Sequence, residues 1–287
     1  MKLVRLLVPA ALLLPACVFV VGGDPDDGWE MHGLGYLSDA DWGDCSTCTV
    51  DGQTVCVSDD GVVKVDGVEL HHQRWVDVPV ALGDGQLFHA STASGPIDLH
   101  GVDGPGQLSV LLHSEFEGDG SVVLENGQLE AHDGKGKVFL DALRGTLPRK
   151  LELSLSSGIG QIELRDFGGG PHIQVENGTG EVLVADCSAP AMELKSGTGD
   201  VRMERGQADR FEASIGTSDL TCQGGHFGDA QVQAGTGDVS FLRCEIGHLQ
   251  ASAGTGDVIL DGGSVDRLNH ELGTGELQLR GGVRIGS

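Results

Sequence analysis

Aromatic side chains are scarce in this sequence of 287 residues: they make up 4% of it, and the one Tyr (Tyr36) and all three Trp (Trp29, Trp42, Trp75) lie in the first 75 residues. The rest of the chain therefore has no Trp or Tyr on which a sugar ring or a base could stack. Basic residues are also few, 18 Lys and Arg against 43 Asp and Glu, for a formal charge of -25. That balance excludes nucleic acid and an anionic membrane surface as partners, because neither phosphate contacts nor polybasic docking can be built. The apolar run from Leu6 to Val21 holds 16 residues with Pro9 and Pro15 inside it, short of the roughly 20 that cross a bilayer as a helix. What is abundant is glycine, 47 residues, beside a 39% hydrophobic content that suffices for a core. Long helices are disfavoured, and regularly spaced turns are expected.

Lys2 and Arg5 precede an apolar stretch from Leu6 to Leu14, and Leu14-Pro15-Ala16-Cys17 follows. This is the pattern of a signal peptide over residues 1–16. The last four residues resemble the bacterial lipobox. That resemblance implies cleavage before Cys17, diacylglycerol on its thiol and acylation of the new amino terminus, so the membrane is a partner through the lipid anchor. The protein is then exported and lipid-anchored to the cell envelope. Val18 stands where the inner-membrane retention signal resembles an Asp, which points to the outer membrane or cell surface. Residues 17–44, with Gly22-Gly23-Asp24-Pro25-Asp26-Asp27-Gly28, read as the lipidated Cys and an acidic flexible tether.

Residues 45–74 form a small Cys-containing hairpin region. If Asp51-Gly52-Gln53 is a three-residue loop, Val50 faces Thr54 and Cys48 falls opposite Cys56, which predicts a Cys48–Cys56 disulfide with Cys45 left over. A zinc site from Cys45, Cys48, Cys56 and one of His71 and His72 is the sharper alternative, but it lacks a second closely spaced pair. Free thiols are the third reading.

From Ser157 onward, Gly-Thr-Gly-Asp-Val and close variants recur. Their first glycines, Gly158, Gly178, Gly197, Gly216, Gly235, Gly254 and Gly273, are spaced by 20 residues once and by 19 thereafter. A fixed period of this length signals a solenoid. Within each unit apolar residues alternate with polar ones: the column Ile162, Val182, Val201, Leu220, Val239, Val258, Leu277 is followed two residues on by Leu164, Val184, Met203, Cys222, Phe241, Leu260, Leu279. Upstream of the corner, Leu153, Ile173, Met192, Phe211, Ala230, Leu249 and Leu268 share one position, and Leu155, Val175, Leu194, Ala213, Val232, Ala251 and His270 another. Two inward-alternating strands per unit, stacked in parallel about 4.8 Å apart, make an all-β fold, a parallel β-helix or β-solenoid. It has about 19 residues per turn and seven regular turns over 157–287. Weaker echoes at Ser94–Leu99, Gly118–Leu124 and Gly134–Leu140 make residues 75–156 irregular capping turns.

These Gly-Thr-Gly-Asp-Val units, preceded by segments such as Leu147-Pro148-Arg149-Lys150-Leu151-Glu152-Leu153, resemble the bacterial "putative adhesin" family of β-strand-repeat proteins, a domain of unknown function. The resemblance covers residues 75 to 287. It implies a β-solenoid at the cell surface and brings no catalytic residues.

Three residues after the first glycines stand Gln161, Glu181, Asp200, Asp219, Asp238, Asp257 and Glu276. Stacked like charges repel, so something must offset them. Each acid caps its corner by accepting backbone N–H groups, or the column from Glu181 to Glu276 is a calcium ladder. No other metal or cofactor is called for. The sequence thus predicts a non-enzymatic, lipid-anchored envelope or surface protein that presents a binding (adhesin-like) or spacer surface to an envelope, glycan or host-surface ligand. The alternatives are a glycan-active β-helix hydrolase or lyase, and a solenoid scaffold that assembles end to end.

Overall fold

The computed structural model describes residues 53–58 and 62–286 together with the backbone of 45–50. Cys17, the tether over 17–44 and the side chains of Cys45 and Cys48 lie outside the described residues. Every regular element among the described residues is a β-strand, and most join one of two eleven-stranded sheets. Each repeat supplies one strand to each sheet. In a middle coil the long strand is Gln207–Thr217 and the short one Leu220–Gln223; the next coil repeats this with His226–Thr236 and Val239–Leu242.

Successive coils pair in parallel: Phe211 lies beside Ala230, Ala213 beside Val232, and Leu220 beside Val239. The strand register therefore equals the sequence period, and each repeat position becomes a column running along the rod. In the middle coils the four columns read from alternation are buried, Phe211, Ala213, Leu220, Cys222, Ala230, Val232, Val239 and Phe241 among them. The stack is a β-solenoid of about seven turns. His270, inward by its place in the repeat, is exposed because it belongs to the last coil, where nothing covers it.

Two further columns face inward, and the first of them breaks the alternation. Ala189, Ala208, Phe227, Ile246 and Val265 are buried although each precedes its next inward residue by three positions. In the strand Gln207–Thr217 the intervening Asp209 and Arg210 both face solvent. This phase shift brings Phe227 into the core, where its ring stacks on Phe211 at 4.9 Å and meets Phe241 edge-on at 6.4 Å. The other column lies beside the Gly-Thr-Gly corner and changes character along the rod, from Ser157, Asn177 and Ser196 to Ile215, Ala234 and Ala253. Asn177 Nδ2 donates to the carbonyls of Gly160 (3.0 Å) and Gly180 (2.8 Å), and Ser196 Oγ to that of Gly199 (3.2 Å), so corner carbonyls without strand partners are satisfied from inside.

The N-terminal end is closed by antiparallel pairing rather than by further turns. Strands Leu87–Thr92 and Ile97–Val102 form the first coil and sit directly against Glu152–Ile159 and Ile162–Arg165. The chain between them loops outward. Val138–Pro148 lies parallel to Ile97–Val102 and antiparallel to Gly106–Ser114, which in turn pairs antiparallel with His72–Val80. On the other sheet Ser121–Glu125 runs antiparallel to Gln128–His132. Reversing the strand direction ends the parallel stack and covers its first coil.

A separate four-stranded antiparallel sheet comprises Cys45–Val50, Gln53–Ser58, Val63–Val65 and Val68–Leu70. It packs Val55, Val63, Val65 and Leu70 against Ala93 and Phe139 of the solenoid body. Its first hairpin corrects the expected register: Val50 pairs with Gln53, so Thr47 lies opposite Cys56 and Cys48 opposite Val55. Two residues of sequence, Asp51 and Gly52, separate the paired ends, a favoured hairpin length. Cys56 is disulfide-bonded, and its partner lies outside the described side chains.

Candidate functional site

The acid column is built by the corner that follows each long strand. The amide of Asp219 donates to the Asp200 carboxylate (3.3 Å), that of Asp238 to Asp219, that of Asp257 to Asp238, and that of Glu276 to Asp257, the last three at 2.8 Å. Asp is the residue this needs, because its short side chain spans one coil spacing and reaches the amide of the coil above. Each carboxylate thus meets a donor as well as a like-charged neighbour, which offsets the repulsion. Among the described residues no three His, Cys, Asp or Glu side chains are grouped so as to hold a metal ion. The geometry is that of backbone capping. Asp238→Ala, which leaves the Asp257 amide without its acceptor, is expected to lower stability by about 1 kcal/mol, with no dependence on calcium. A calcium-induced rise in melting temperature for the parent that disappears in Asp238→Asn would instead establish a cation ladder.

The free thiols Cys187, Cys222 and Cys244 are all buried. Burial pushes the Cys187 thiol up to about 12 and those of Cys222 and Cys244 upward as well. They are small core residues without nucleophilic character.

One surface feature that departs from the repeat lies where the cap meets the first coils. A groove of about 350 Å³ opens there on the outer face of the short-strand sheet, lined by Trp75, Leu111, Asp141, Arg144, Asp98, Gln161 and Glu163 among others. Pairing assembles it from distant parts of the chain. Trp75 stands opposite Leu111, Arg144 opposite both Ser109 and Asp98, and Asp98 opposite Glu163. The Arg144 guanidinium lies over the Trp75 ring, 4.3 Å from its centroid, yet Trp75 remains 45% exposed. On the acidic wall Glu163 pairs with Arg165. Asp98 Oδ1 lies 3.3 Å from His100 Nε2 but outside hydrogen-bond geometry, so no protein donor satisfies it.

Beneath the groove, the register of Val138–Pro148 slips between Leu140 and Ala142, leaving Asp141 unpaired with Gly106–Ser114. The Asp141 side chain turns inward, where Oδ1 accepts the Ser94 hydroxyl at 2.5 Å and Oδ2 lies 3.2 Å from Nε2 of the buried His113. Burial alone would push this carboxyl upward; His113 and Ser94 outweigh it and hold the carboxyl below the usual range. The three residue types are those of a hydrolytic triad, but the connectivity differs. Ser94 donates to the carboxylate instead of to the imidazole, and neither ring nitrogen of His113 has a partner in hydrogen-bond geometry. No base activates the hydroxyl, so the cluster secures the bulge that shapes the groove floor.

Sequence reasoning missed this groove. Trp75 was visible as an isolated aromatic, but nothing in the periodicity linked it to Arg144 or to the first coils.

Comparison with known proteins bears on the fold. The family described as Toastrack DUF4097 matches residues 36–282. A solved structure of a "putative adhesin" from Parabacteroides distasonis is similar over 74% of this chain and 97% of its own, at 11% identity and a TM-score of 0.51. A second "putative adhesin", from Bacteroides fragilis, is similar over the same shares at 13% identity and a TM-score of 0.48. A "putative lipid binding protein" from P. distasonis, again over those shares, has 14% identity and a TM-score of 0.47. No curated protein matches the chain.

Proposed function

This chain belongs to the Toastrack DUF4097 family, and we propose that it is a non-enzymatic, exported protein held to the cell envelope through a lipidated Cys17, whose rigid acidic solenoid presents a binding surface. The observation that carries the reading is the groove beside Trp75, a concave, partly apolar site with fixed polar groups where the cap meets the repeats. The disengaged Ser94–Asp141–His113 cluster supports binding over hydrolysis.

Anchoring is tested with Cys17→Ser in the full chain. The variant is expected to lose labelled fatty acid and to leave the membrane fraction; unchanged labelling would refute the anchor. Presentation of a binding surface is tested by probing an array of glycans and envelope or host proteins with the intact protein. Absence of any specific, saturable signal would count against it.

A further inference from the structure

We propose that the Trp75 groove is a subsite for a neutral pyranose of an oligosaccharide, an inference that rests on the reading of this face as a binding surface and gives the chemical class of its ligand. The charges around the ring decide the class. Trp75 with nearby carboxylates would by itself suit a quaternary ammonium group, but the Arg144 guanidinium already covers the ring at 4.3 Å, and a second cation would meet a like charge there. An anion would meet Asp98 and Glu163 on the opposite wall, where the basic partner Arg165 is already engaged by Glu163.

A neutral polyol meets neither repulsion. Its hydroxyls both donate and accept, so they can donate to the exposed part of the Asp98 carboxylate and accept from Arg144 and the Gln161 amide. The apolar C–H face of a pyranose fits the exposed part of Trp75 above the floor of Leu111, Pro96 and Ala142. A volume of about 350 Å³ accommodates one or two sugar rings, near the lower end for ligand pockets. The site is preorganised as well. Arg144 fixes the ring from one side, and the bulge at Asp141, secured by Ser94 and His113, sets the floor. Nothing in the repeats duplicates it, since they hold neither Trp nor Tyr.

The test uses the full-length lipoprotein in a sugar-free detergent, titrated calorimetrically with chitotriose, maltotriose and laminaritriose, and with choline and inorganic phosphate as charged controls. At least one neutral trisaccharide is expected to bind saturably and the two controls not at all. Trp75→Ala should weaken that binding about tenfold, the loss of one ring-stacking contact, whereas Trp75→Phe should retain most of it. Trp75 is exposed on an outer strand, so unchanged melting temperatures are expected for both variants and would show that they fold. Binding that is indifferent to Trp75→Ala, or that goes to choline or phosphate instead, overturns the proposal. Trp75-dependent capture of a protein on the array, with no trisaccharide binding, overturns the saccharide class and leaves the binding surface standing. Silence in every arm overturns both.

Discussion

Val239→Asp is expected to cost several kcal/mol and to lower the melting temperature sharply, while Ser240→Asp, one residue along, should change stability by no more than about 0.5 kcal/mol. Val239 is fully buried between Leu220 and Val258 of the coils below and above. An aspartate there has no partner in reach and must be buried charged or protonated, at a cost either way. Ser240 faces outward between Thr221 and Ile259 on the solvent side of the same strand. Because the strand hydrogen bonds of each middle coil go to the coils above and below it, the damage at Val239 should also uncouple the coils on either side. Thermal unfolding followed by circular dichroism decides the matter. Equal losses for the two variants would mean that the inward and outward faces have been misassigned.

The second large effect is expected at the Gly-Thr-Gly corner. Gly256 has a φ of 132°, and a Cβ there would lie 2.1 Å from the carbonyl oxygen of Gly237 in the preceding coil. The obstacle is thus both local conformation and stacking. Gly104 separates the two, because its φ of 117° is similarly unfavourable for a side chain but its Cβ would meet nothing within 4 Å. Gly104→Ala should therefore show the conformational cost alone, about 1–3 kcal/mol. Gly256→Ala should cost clearly more, since the carbonyl it strikes is backbone and part of the stack. If the two variants lose the same stability, close approach of the corners contributes nothing and only glycine's conformational freedom matters.

Both expectations concern parts of the molecule that can be read from the residues directly. A repeat of 19 residues becomes a coil of the same length, so a column such as Leu220, Val239, Val258 in the alignment is a physical column in the stack. The acid column is legible for the same reason, as is the burial of Cys222, which stands in an inward column. Alternation fails only where the strand breaks its own rhythm. Two consecutive outward residues, Asp209 and Arg210, shift the phase, and so the column containing Phe227 does not follow from a period of two.

The period, the two inward-alternating strands per turn, the glycine corners and the acid at each corner were determined by the sequence alone, because in a solenoid the strand pairing joins each residue to its counterpart one repeat away. Tertiary structure decided the rest. The two-residue hairpin that sets Thr47 opposite Cys56, the antiparallel cap, the slip that frees Asp141, and the meeting of Trp75 with Arg144 all join segments that share no repeat relation. Their pairing is set by which strands can cover the open first coil and by how the cap packs upon it. The groove exists only after those choices are made, which is why the residues that form it carry no signal in the sequence that singles them out.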